Sequence, residues 1–95
     1  MKKVNFNIAL TGFDGTTLKD QEGKDIFIKT LIANKIGAIQ HGTSFEETLT
    51  KFELAKKILR SMGEINLSED DVNLIKKNLD GLTVLTAGQI LELLK

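Results

Sequence analysis

The sequence predicts an α+β domain in which an N-terminal β-hairpin packs on a bundle of about four helices. Three observations carry that expectation. Apolar residues at the start of the chain alternate with the period of a half-buried strand. From residue 26 onward they recur at helical spacing. In the second half, Ser and Thr residues followed by acids or Gln mark helix starts.

Val4, Phe6, Ile8 and Leu10 alternate with Asn5, Asn7 and Ala9, and turn chemistry follows at Gly12 and Asp14-Gly15. Thr16-Thr17-Leu18 is short and β-prone, so residues 3–18 are expected to form a hairpin that reverses near Gly12–Gly15. A lone hairpin is marginal in water and needs helices to pack on. Residues 26–40 read as a helix that is apolar nearly all round, with a narrow polar strip of Thr30, Asn34 and Gly37, and therefore as a buried one. The triplet Ile26-Phe27-Ile28 is also compatible with an extended strand.

A second helix is expected over 44–62. Ser44 and Glu47 have capping-box spacing, and Gly63 stands where a left-handed residue would end the helix. Phe45, Leu49, Phe52, Ala55, Leu59 and Met62 form its expected core stripe. Leu54 and Ile58 lie roughly 140–180° from Phe45 at 100° per residue. A third helix is expected over 69–80, capped by Ser68, opened by Glu69-Asp70-Asp71, stapled by Leu67 and Val72, and ended at Asp80-Gly81. A fourth is expected over 87–94, with Thr86 and Gln89 as its box and Leu85 and Ile90 as its staple. The chain reads as one domain over 1–95, without an internal repeat, low-complexity segment or linker.

Composition narrows the function classes. With 95 residues, 41% apolar and 27% charged, the chain suits one folded domain. Thirteen acids balance thirteen bases, so no global field draws it to nucleic acid or anionic lipid. The absence of Cys removes disulfides, thiolate metal sites and cysteine nucleophiles, and fits a cytosolic setting. Lys2 and Lys3 begin like a signal peptide, but Asn5, Asn7, Thr11 and Asp14 interrupt the apolar run that should follow. No stretch approaches the ~20 apolar residues of a membrane span.

Candidate chemistry is sparse. His41, the only histidine, stands at an expected helix end, where a partly cationic ring meets the negative pole. Asp14, Asp20, Glu22 and Asp25 share one loop region, but in neither register do they give the ligand spacing of a calcium loop. Gly23-Lys24-Asp25 lacks the hydroxyl and upstream glycine of a phosphate loop. The last two helices offer acids where a helix-turn-helix would need bases. Catalytic residues, cofactor and metal are therefore all expected to be none.

The run Phe6 to Leu10, then Gly12-Phe13-Asp14-Gly15 and Leu18-Lys19-Asp20-Gln21-Glu22-Gly23, leading into an apolar helix, resembles small uncharacterised proteins of bacteriophages and prophages. Ile65 to Asp71 and Gly88 to Leu94 are similar to the C-terminal part of such proteins. The resemblance covers most of the chain and rests on turns and helix caps. It implies a phage or mobile-element origin, in the cytoplasm of a bacterial host or on a virion, and no activity.

The expected function is a non-enzymatic protein–protein interaction module, a virion, assembly or host-modulating factor. It would have a protein partner or associate with itself through Leu54 and Ile58, the apolar residues that the core stripe leaves over. The alternative is a nucleic-acid-associated accessory protein that uses the basic helix around Lys51, Lys56, Lys57 and Arg60, joined by Lys29 or Lys35. Those cations otherwise form a solvated face balanced by Glu46, Glu47 and Glu53.

Overall fold

Val4 and Phe6 fall on one face of an extended chain, and both are buried. In the computed structural model, which describes residues 2–38 and 44–95, this opening segment is β1 (Lys2–Asn5), and its partner is distant in sequence. β1 pairs antiparallel with β2 (Glu64–Leu67), matching Lys2 with Leu67 and Val4 with Ile65. Val4, Ile65 and Leu67 share the inner face, and Lys3, Asn66 and Glu64 the outer one. The helices are α1 (Ile28–Gly37), α2 (Phe45–Leu59), α3 (Glu69–Lys77) and α4 (Val84–Leu93), and the architecture is α+β.

The expected hairpin over 3–18 survives only as its tip. Thr11 and Thr17 bridge across Gly12–Gly15, while Lys2–Asn5 pairs with β2 instead. Length decides this: the segment after the turn is too short and polar to cover the apolar face of β1, whereas Ile65 and Leu67 do cover it.

Between β1 and α1 lies a repeat of eight residues, which corrects the reading that the chain has none. Gly12 and Asp20 each donate a backbone amide across a turn, to the carbonyls of Thr16 and Lys24. Each turn closes on a glycine of positive φ, Gly15 at 85° and Gly23 at 81°, a conformation that a Cβ disfavours. The amides of Leu10, Leu18 and Ile26 donate in a ring, to the carbonyls of Ile26, Leu10 and Leu18. The two turns thus form a small closed unit whose apolar corners point at the core.

That unit starts α1. Phe27 is extended, so the helix begins at Ile28 and not within 26–27. Its first two amides donate to the carbonyls of Ile8 and Phe6, each at 2.9 Å. Backbone acceptors thereby replace the side-chain cap that the sequence lacks. α1 buries Ile28, Ile32, Ala33 and Ile36 and packs along α2. It ends at Gly37, and residues 39 and 40 of the expected helix lie outside the described residues.

α3 follows its sequence signals. The Ser68 hydroxyl accepts the Asp71 amide, and the Asp71 carboxylate accepts the Ser68 amide. The helix stops at Lys77, three residues before the expected end, and Gly81 (φ 90°) reverses the chain beyond it. α4 begins earlier than expected. Thr83, not Thr86, is the cap, its hydroxyl accepting the Thr86 amide at 3.3 Å. Thr86 is buried inside the helix, and Gln89 is used elsewhere: its amide group donates to the Thr11 carbonyl and accepts the Thr11 amide.

Candidate functional site

α2 is turned about its axis relative to expectation. Leu54 (4% exposed) and Ile58 (0%) are core, packed in the cluster that holds Phe6, Ile32 and Ile36. Phe45 (83%) and Phe52 (58%) face solvent, together with Leu49, Leu59 and Met62. Leu54 and Ile58 are therefore not an interface, and of the expected core stripe only Ala55 packs against the core, while the other five residues are exposed. The turn that follows α2 fixes this rotation. Ser61 is buried, and its hydroxyl and amide both donate to the Ile58 carbonyl, while the Lys29 ammonium donates to the Ser61 carbonyl at 2.8 Å. The chain then enters β2 through Gly63, which does not adopt a left-handed conformation. This exit locks the Leu54–Ile58 face against α1, although the opposite face is the more apolar.

Position by position, the exposed stripe is narrower than a core-facing one. Phe45, Leu49, Phe52, Lys56 and Leu59 are spaced four, three, four and three apart. At 100° per residue they span about 80°, the width of a coiled-coil seam and less than the ≳100° apolar stripe of a helix lying on a globular core. Lys56 interrupts the seam with a charge, its ammonium 5.1 Å from the Phe52 ring centroid and 3.4 Å from the Glu53 carboxylate. Its narrow width is the one sequence feature that sets this stripe apart, and that width does not tell which face of α2 the rest of the chain covers. Residues 45–50 are exposed, and Glu46, Glu47 and Thr50 meet Leu74 and Lys77 of α3 only across an open depression. At the other end Phe52, Ala55, Leu59, Ala33 and Asn34 line a groove of about 300 Å³ between α2 and α1.

The expected basic patch is not gathered. Lys56 and Arg60 border the α1–α2 groove. Lys51 lies roughly 140° from Lys56 around the helix, beside Glu46, Glu47 and Lys77 in a separate depression. Lys57 donates to the Asn66 carbonyl. Lys29 is held at the end of α2, and Lys35 lies close to Gly81. Four cations at spacings of five, one and three residues cannot share one face of a helix, and Glu53 lies among those that come nearest to doing so.

The acidic loop uses its carboxylates on its own backbone. Asp14 accepts the Thr16 hydroxyl at 2.7 Å and the Thr16 amide at 3.0 Å. These bonds, the hydroxyl first, hold its carboxyl below the usual carboxylate range. Asp20 accepts the amides of Glu22 and Lys24, and Asp25 pairs with Lys19. Among the described residues no three side chains of His, Cys, Asp or Glu converge as metal ligands. His41 lies outside the described residues. Among the described residues, no helix is long and apolar enough to cross a membrane.

No protein-family model, no curated protein and no solved structure matches the chain.

Proposed function

We propose that the chain is a non-enzymatic protein–protein interaction module that receives an amphipathic helix along α2. The observation that supports this reading is the exposed seam of Phe45, Leu49, Phe52 and Leu59. Two solvent-facing phenylalanines and two leucines on one helix face are a large apolar surface for a domain of this size, and such surfaces are characteristic of docking sites. The four–three spacing selects a helix as the complement, because only another helix offers holes at that repeat. The resemblance to phage and prophage proteins supports a setting in a bacterial host or a virion, where the partner would be a virion, assembly or host protein.

Photo-crosslinking inside the natural host tests this directly. A photoreactive amino acid in place of Leu49 should give an adduct of discrete mass. The same group in place of Asp70, on the exposed start of α3, should give none, and adding Phe52→Glu should erase the Leu49 adduct. Failure of the Leu49 position to cross-link anything would show that the seam has no occupant and would remove the basis of the proposal.

A further inference from the structure

We infer that the helix received by this seam is α2 of a second copy, laid antiparallel about a two-fold axis near Phe52. The inference rests on the docking role proposed for α2 and names the partner. Charge along α2 carries it. Glu46 and Glu47 lie in the first turn of the helix, Lys51 and Glu53 flank its midpoint at Phe52, and Lys56, Lys57 and Arg60 gather at its end. In seam notation Phe45, Phe52 and Leu59 are d positions and Leu49 and Lys56 are a positions, so Glu46, Glu53 and Arg60 form one e flank. All three of these flanking residues are exposed.

Two parallel copies would set Lys56 against Lys56 inside the seam, a like-charge contact in a partly desolvated place. Two antiparallel copies separate those ammonium groups and bring each toward the other chain's Phe52 ring, the type of contact Lys56 already makes within its own chain at 5.1 Å. Antiparallel helices also oppose e flank to e flank, so Arg60 of each copy comes beside Glu46 of the other. Glu53, which falls near the axis, is paired within its own chain with Lys56 at 3.4 Å. Shape agrees with charge. The same arrangement carries the protruding Phe45 of one copy to the Leu59 end of the other, where the groove of about 300 Å³ beside Ala33 and Ala55 lies open. The contact is isologous and closes as a dimer.

Sedimentation of the purified chain from low to high micromolar concentration is the test. The wild type should reach a dimer, and Phe52→Gln should remain monomeric with its helical circular dichroism intact. Glu46→Arg and Arg60→Glu should each weaken the dimer roughly tenfold, and the double variant should recover most of the loss. A wild type that stays monomeric at high micromolar concentration overturns the inference, and so does a dimer indifferent to both single charge reversals. In that event a Leu49 cross-link to a protein of different mass would leave the docking role standing, whereas a bare Leu49 would bring down both.

Discussion

Gln89 and Thr11 lie 78 positions apart, yet the Gln89 amide satisfies both backbone groups of Thr11, at 2.6 and 3.1 Å. A side chain from α4 thereby completes the pairing that the short turn unit cannot supply for itself, and it does so where an unpaired backbone group would be costly. Asp14 acts more locally. The hydroxyl and amide of Thr16 donate to its carboxylate, which favours the ionised form and lowers its pKa. A carboxyl whose folded pKa is depressed adds stability above its unfolded pKa and loses it as pH falls through the folded value. The ionised carboxylate therefore adds to the stability of the first turn at neutral pH, and that addition is lost in acid. In a titration followed by NMR, Thr16→Val should move the Asp14 midpoint up toward the ordinary carboxylate range. An unchanged midpoint would mean that the hydroxyl bond does not hold the carboxylate.

At the scale of elements, helix starts depend on which of several competing caps the surrounding packing selects. Thr83 and Thr86 are both good N-caps by type, and the sequence pairs Thr86 with Gln89 convincingly. Packing chooses Thr83, because a start at Val84 buries Thr86 with Ile90 and leaves Gln89 free to reach Thr11. Thr83→Ala should lower stability by about 1 kcal/mol in urea unfolding, the usual cost of a lost cap. A loss near zero would return the cap to Thr86. Ser68 has no such competitor, and its reciprocal box with Asp71 is found where the sequence puts it. Ser44 caps α2 through one half of its expected box, its hydroxyl accepting the Glu47 amide. Local signals of this kind were legible because a cap needs only residues within one turn. The partner of β1 was not legible, since Glu64–Leu67 is a brief run between two helices whose pairing is decided by long-range packing. The eight-residue repeat is not legible because Gly12-Phe13-Asp14-Gly15 and Asp20-Gln21-Glu22-Gly23 share a backbone path and little else.

For the whole molecule, the rotation of α2 matters most. Helical amphipathicity ranks faces by how apolar they are and says nothing of which face the rest of the chain will cover. Here the more apolar face, with Phe45, Leu49, Phe52 and Leu59, is left outside, while Leu54 and Ile58 fill the space against α1. The candidate site was thus composed of the right helix and the wrong residues: the surplus apolar surface was legible, and its side was not. The basic residues show the same limit, since closeness in sequence placed Lys51, Lys56, Lys57 and Arg60 together, whereas the helix keeps Lys56 and Arg60 on one groove and carries Lys51 to another depression. The chain contains no cysteine, so single-cysteine variants report exposure without background. Alkylation rates of Phe52→Cys and Ile58→Cys, each compared with the same variant in urea, test the rotation of α2 most directly. Phe52→Cys should react in the dilute native protein nearly as fast as in urea, with any slowing at high concentration reversed on dilution, and Ile58→Cys should be protected by orders of magnitude at every concentration. Fast reaction at Ile58→Cys, with protection at Phe52→Cys that dilution does not relieve, would contradict the account.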